Sequence, residues 1–187
     1  MRKSFGLVLL LLSSALPCEA KHRSSHAFDN LERAARDAVT SAPKDDETCF
    51  APDEPCSAKL VKFIQSAKES IDIAIFEFTD ENLGKAIAQA AERIPVRLVV
   101  NPKLMHDPKE AFAIVINSRA KIKKGKQKGI MHNKFTLVDG KRMETGSYNY
   151  TRRAGNDNQE NQLYLSNPGI VNRYKERFEK MWREGKN

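Results

Sequence analysis

The sequence holds four histidines and three cysteines among 187 residues. No second cysteine pair or nearby histidine completes a four-ligand set, so nothing indicates a structural zinc site. No Asp/Glu/His cluster has the spacing of a catalytic metal site either, and no cofactor is implied. Beyond the first twenty residues no stretch is long or apolar enough to cross a bilayer, which takes about 20 residues. Internal repeats are absent. Acidic residues are in deficit, 24 against 32 Lys and Arg, for a formal charge of +8 and a pI near 9.4. That balance points to anionic partners such as nucleic acid or lipid headgroups and says nothing about fold. With 40% hydrophobic and 30% charged residues the chain is neither disordered nor a polytopic membrane protein. Its length suits one domain plus a targeting segment, and a domain of this size buries roughly two-thirds of its surface without metals or a disulfide lattice.

The targeting segment is residues 1–20, MRKSFGLVLLLLSSALPCEA. Arg2 and Lys3 precede an apolar run from Gly6 to Leu12, and small residues follow, as in a secretory signal peptide. A lipoprotein signal at Cys18 is the rival, disfavoured by Pro17, and an uncleaved anchor is the other alternative. Cleavage after Ala20 leaves a charge of +7 and a periplasmic or secreted chain. It also leaves two cysteines, Cys49 and Cys56, seven apart around a Pro-containing turn. In an oxidising compartment these can close a disulfide; two free thiols are the alternative.

Residues 21–45 read as an amphipathic helix on Phe28, Leu31, Ala35 and Val39, followed by a linker. From 46 to 187 helical and extended patterns alternate. Helices are expected over 57–69, over 81–93 with Asp80 as N-cap, around 108–118 and over 168–184. Strands are expected at 71–78, 95–100, 135–138, 142–145 and 162–165, with a turn at Asp139-Gly140. This alternation predicts an α/β sandwich.

The chemistry concentrates in IMHNKFTLVDGKRMETGSYN, residues 130–149. Strand alternation puts His132, Lys134 and Thr136 on one face. A lysine neutralises phosphoryl oxygens, and an imidazole beside it can attack phosphorus or transfer a proton near neutral pH. Ser147 and Asn149, again two apart, can donate to the same oxygens.

H-x-K, four residues, D, six residues and G-S-x-N is the signature of the phospholipase D superfamily, which the chain resembles over about residues 46–187. The preceding helix–strand–helix run looks like the small bacterial endonuclease branch, in which one signature per chain is completed by homodimerisation. The resemblance implies a phospholipase D-like sandwich, a mixed sheet flanked by helices carrying a single half-site. His132 would be the nucleophile forming a phosphohistidine. Lys134 and Asn149 would hold the non-bridging oxygens with Ser147 in support. Glu160, in NDNQENQLYL, would accept a hydrogen bond from the other ring nitrogen of His132. Asp139, invariant in type in that family, falls at a turn that favours Asp and reads as structural. The reaction also needs an acid for the leaving alkoxide. His22, His26 and His106 lack an H-x-K setting, so the acid is expected to be His132 of a second copy across a two-fold axis.

Before the motif stand Lys121, Lys123, Lys124, Lys126 and Lys128, and after it Arg152 and Arg153. Such a run is commonly a solvated loop, but flanking the site it would follow a polyanionic backbone. Few aromatics interleave it, so base readout is not expected. The expected activity is metal-independent, sequence-nonspecific nucleic-acid cleavage. An anionic phospholipid hydrolase is the alternative, and a non-catalytic nucleic-acid-binding module comes after it.

Overall fold

The computed structural model describes residues 46–106, 108–126 and 129–187. The signal segment, the 21–45 helix and Lys128 lie outside the described residues. Strand β1 (Glu47–Ala51) leads to helix α1 (Cys56–Gln65), β2 (Ile71–Ile75), α2 (Glu81–Ala91) and β3 (Val96–Val100). Then come α3 (Lys103–His106), α4 (Glu110–Ile116), β4 (Lys121–Lys124), β5 (Phe135–Val138) and β6 (Arg142–Gly146). Helix α5 (Arg152–Asn156), β7 (Glu160–Leu165) and α6 (Pro168–Glu184) complete the order. The strands form one seven-stranded sheet in the order β1-β7-β6-β5-β2-β3-β4. β2, β3 and β4 are parallel, β5 lies antiparallel beside β2, and β5, β6, β7 and β1 run antiparallel to one another.

Two apolar layers sandwich the sheet. On one face Ile71, Ile73, Ile75, Leu98 and Val100 pack with Leu60, Ile64, Leu83, Ile87 and Phe112 from α1, α2 and α4. On the other, Ala74, Val99, Phe135, Leu137 and Met143 pack against Val171, Phe178 and Met181 of α6. Strands buried on both faces carry few polar residues, which is why IDIAI and VRLVV hold only one each, Asp72 and Arg97. Asp80 caps α2, accepting from the amides of Asn82 and Leu83 at 2.9 and 3.3 Å. Arg97, on β3, docks α6. Its guanidinium bonds Asp72 at 2.7 Å and Glu179 at 2.6 Å, and lies 5.0 Å from the Phe178 ring centroid.

Helix α6 spans the expected 168–184, and the other expected elements form with shifted ends. Chain from Phe76 onward leaves the strand expected over 71–78, and the helix expected over 57–69 stops at Gln65. The alternation did not reveal β1, α3 or α5. The larger correction is the lysine run, where residues 121–124 form β4 at the sheet edge. Ile122 packs towards α2 and α4, while Lys123 turns to the other face, its ammonium 4.9 Å from the Trp182 ring centroid and bonded to the Trp182 carbonyl at 2.9 Å. Charged residues on an edge strand also discourage pairing with a foreign strand. No helix among the described residues is long and apolar enough to cross a membrane.

Cys49 and Cys56 are buried and bonded to each other, with Cα atoms 5.6 Å apart, joining β1 to the start of α1. A loop this short contributes about 2–3 kcal/mol by restricting the unfolded chain. Cys49→Ser should lower the unfolding free energy by about that much in urea titrations. Reductant should lower the wild type equally and leave the variant unmoved.

Candidate active site

The C-terminal ends of β2, β3 and β4, the N-terminal ends of β5 and β7, and the C-terminal end of β6 share one edge of the sheet. His132 and Lys134 lie in the approach to β5 at that edge, Phe76 and Glu77 in the exit from β2, and Ser147 and Asn149 in the exit from β6. His132 is exposed, and its ring rests on Phe76 with centroids 4.5 Å apart. Lys134 is buried, with its ammonium 3.3 Å from Nδ1 and 3.4 Å from Nε2 of His132. Near-equal distances place the ammonium against the ring rather than in line with either lone pair. It also donates to the His132 carbonyl at 3.1 Å and lies 5.3 Å from the Phe76 centroid. The Thr145 hydroxyl holds the strand here by donating to the Lys134 carbonyl at 3.0 Å. Burial lowers the lysine pKa, and the carboxylates of Glu160 and Glu77 pull it back upward.

Asn149 is oriented by its carbonyl oxygen, which accepts from the Glu77 amide at 3.2 Å, so its NH2 group is the end available to a ligand. The neighbouring backbone is stitched to the β2–α2 loop. Tyr150 donates its amide to the Glu77 carbonyl at 3.1 Å, and its own carbonyl accepts from Thr79 and Asp80 at 2.7 and 2.9 Å. Gly146 is required by close approach, because a Cβ there would lie 2.1 Å from the Asn161 carbonyl oxygen.

Ser147 and Glu160 take different partners from those expected. The Ser147 hydroxyl donates to Glu160 and accepts from the Asn161 amide at 3.1 Å. The other Glu160 oxygen accepts from Asn158 at 2.9 Å. Both carboxylate oxygens are engaged within the β6–β7 connection, no bond joins Glu160 to His132 within the chain, and the Glu160 charge raises the Lys134 pKa. Asp139 sits at the opposite end of β5. Its carboxylate accepts from the amides of Lys68, Glu69 and Ser70 at 2.9, 2.7 and 3.1 Å, and it shares a two-residue turn with Gly140, both at positive φ (57° and 60°).

The basic residues scatter. Lys121 opens β4 at the end remote from His132, and Lys123 is committed to α6. Lys124 and the exposed Lys126 lie at the site edge. Arg152 lies 3.6 Å from Glu81, and Arg153 is exposed on α5. Phe76 and Glu77 are the residues that sequence patterning missed. The one available signal was a glutamate interrupting the apolar run IDIAIFEF. Among the described residues, metal-ligating types converge only at Cys49, Glu54 and Cys56, where the two sulfurs are bonded to each other.

Residues 60–182 match the family described as cardiolipin synthase, PLD-like domain. The mitochondrial cardiolipin hydrolase of Mus musculus is 28% identical over 138 residues, 73% of this chain and 62% of the relative. A phospholipase D of Rickettsia bellii is 30% identical over 149 residues, 78% of this chain and 69% of the relative. The chain spans 62% of the mouse hydrolase and 52% of the human one. Among solved structures, Nuc from Salmonella typhimurium, a phospholipase D family member, superposes with a TM-score of 0.69 at 26% identity, covering 76% of this chain and 96% of Nuc. NucT from Helicobacter pylori gives 0.68 at 25%, covering 76% and 98%. The chain belongs to the phospholipase D superfamily.

Partial burial raises the Asp139 carboxyl, but the amides of Glu69, Ser70 and Lys68, with Arg142 nearby, outweigh it and hold the pKa below the ordinary carboxylate range. The stability this gives is present above the unfolded-state pKa and lost as pH falls through the folded one. Asp139→Asn should therefore flatten the acid limb of stability below about pH 4. Asp139→Ala should cost about 1–3 kcal/mol while leaving kcat per folded molecule within about 2-fold. A collapse of kcat in folded Asp139→Ala would instead make the carboxylate part of the chemistry.

Proposed function

We propose that this phosphodiester hydrolase is a metal-independent, sequence-nonspecific endonuclease working through a phosphohistidine at a site shared between two copies of the chain. The observation that carries the proposal is the buried Lys134 ammonium against the exposed His132 ring, with the Asn149 amide oriented by Glu77 at the same edge. A phosphodiester placed there meets a nucleophile, a cation and a neutral donor. A ring nitrogen of His132 attacks phosphorus, the P–O bond to the leaving group breaks, and the leaving alkoxide takes a proton from a second imidazolium. That second imidazole then deprotonates a water, whose oxygen displaces His132 from phosphorus and restores both rings.

The second imidazole is proposed to be His132 of another copy. His106, the other described histidine, ends α3 beyond β3, with β2 between β3 and β5, a separation of about 10 Å at ordinary strand spacing. A surface for a second copy lies beside the site. Helix α6 covers β2, β3 and β5, and the same sheet face on β6, β7 and β1 carries Leu163 at 38% exposure and Phe50 at 54%, large apolar side chains next to Ser147 and Asn161. Lys124, Lys126 and Arg153 would add the salt-dependent attraction of a polyanion. Export to the periplasm or beyond is proposed from residues 1–20, and an oxidising compartment would suit the Cys49–Cys56 bond.

Hydrolysis of an anionic phospholipid is the second reading. Relatives bearing the name cardiolipin hydrolase favour it, as does Ile130, 62% exposed two residues before His132. Plasmid DNA and labelled cardiolipin vesicles, offered side by side in EDTA, separate the two. Degraded DNA, intact lipid and loss of cleavage by at least about 10³-fold in His132→Ala are expected. Headgroup release with intact DNA would transfer the protein to lipid chemistry. For the shared site, heterodimers of wild type and His132→Ala should lack full turnover, and Leu163→Lys should yield inactive monomers in sedimentation. Full activity per heterodimer would make each chain self-sufficient.

A further inference from the structure

Behind the site lies a buried polar chain that the proposed reaction does not use. Glu144, on β6, is 1% exposed and stands opposite Thr136 of β5 and beside Tyr164 of β7. The Thr136 hydroxyl donates to Glu144 at 3.2 Å. Thr136 is also in hydrogen-bond contact with the Tyr150 hydroxyl, and either oxygen can donate. Thr136 and Tyr150 are both fully buried. The chain therefore runs from the Tyr150 phenol through Thr136 to Glu144. Two of its members, Thr136 and Tyr150, belong to the two segments that build the site. Thr136 is two residues beyond Lys134 on the same face of β5, and Tyr150 adjoins Asn149.

We propose that Glu144, acting through Thr136 and Tyr150, is a positioning residue that sets the spacing between the His132–Lys134 segment and the Asn149 amide. The inference rests on the catalytic reading of those three residues. Backbone bonds fix the Asn149 segment to the β2–α2 loop, and the Thr145 hydroxyl holds the Lys134 carbonyl. The Thr136–Tyr150 contact joins the two segments through their side chains. Every group facing Glu144 is uncharged when its tyrosines are protonated: Thr136 from β5, Tyr148 and Tyr150 from the β6–α5 segment, and Tyr164 with its partner Gln162 from β7. Burial among them pushes the Glu144 pKa up to about 8, and the Thr136 bond opposes that shift only in part. Glu144 Oε1 and Gln162 Nε2, both within this cluster, are buried without a hydrogen-bond partner. Ionised Glu144 would have no cation to meet there. Rising pH should destabilise the fold as this buried carboxyl ionises.

The test uses the full chain with bis(p-nitrophenyl) phosphate as a generic diester and inorganic phosphate as a binding probe, followed through the His132 imidazole resonances. Thr136→Val keeps volume and removes the relay hydroxyl, and Tyr150→Phe removes the far end. Each should lower kcat by about 10-fold with KM changed by less than about 3-fold, and the double variant should lose no more than the worse single. Glu144→Leu should show the same loss and Glu144→Gln should recover most of it. The loss of stability as pH rises towards about 8 in the wild type should be absent in Glu144→Gln. Phosphate should bind at least about 5-fold more weakly to Thr136→Val and Tyr150→Phe than to the wild type. Wild-type kcat in folded Thr136→Val and Tyr150→Phe, or additive losses in the double, would overturn the proposal. Should the wild type itself turn over no diester, the catalytic reading fails and phosphate affinity decides: unchanged dissociation constants overturn the positioning role, and weakened ones sustain it.

Discussion

The antiparallel insertion of β5 beside β2 is the constraint on which the site depends. Parallel strands β2 and β3 both deliver their outgoing loops to one edge of the sheet. A strand running the other way receives its incoming segment at that same edge. His132 and Lys134 thereby arrive where Phe76 and Glu77 depart. Had β5 paired parallel, its motif would have entered at the edge where Asp139 now closes its turn. Reversal of β6 and β7 continues the pattern, returning Ser147 and Asn149 and then Glu160 to the same line. One sheet reversal gathers residues from four separate stretches of chain.

The conserved-looking letters of the motif divide by task according to which end of β5 they occupy. At the entry end, His132 and Lys134 face the open edge. At the exit end, Asp139 spends its carboxylate on three amides of the α1–β2 loop, 69–71 residues away in sequence. That turn fixes the register of β5 against both β2 and β6, and a one-residue slip would send Lys134 to the α6 face. Gly146 has a comparable indirect duty, since only a residue without a side chain lets the exit of β6 lie against Asn161. Residue types inseparable in the motif thus serve the chemistry by direct contact in some cases and by register in others.

Much of this was legible from residue order, for identifiable reasons. His132, Lys134 and Asn149 stood out because H-x-K and G-S-x-N together match the phospholipase D signature, whereas the two-residue spacing alone would suit any solvated strand. Asp139-Gly140 read as a turn because both residues tolerate positive φ. Phe76 was hidden because it extends an apolar run by one residue and then leaves the strand to support an imidazole, a change of role that periodicity cannot register. The KIKK segment misled through composition. Charge suggested a solvated loop, whereas one inward isoleucine at alternating spacing was enough to pair it with β3. Partner choice at Ser147 and Glu160 was out of reach because it depends on how closely β6 and β7 approach.

The electrostatics of the edge give the last link between packing and chemistry. Lys134 is buried by the strand that carries it and meets carboxylates of Glu77 and Glu160 at the surface, so its charge is opposed by desolvation and supported from outside. A phosphodiester anion entering beside it supplies the counter-charge that the interior lacks. Binding then favours the protonated lysine, and protonation favours binding, as linkage requires. The same anion displaces water from the His132 side of the ammonium and strengthens the interaction further as the local dielectric falls. A surface lysine would already be hydrated and would gain little. Under the proposed function, burial of Lys134 would turn a common basic residue into a receptor for phosphate, and the strand pairing that enforces that burial also positions the imidazole that would attack.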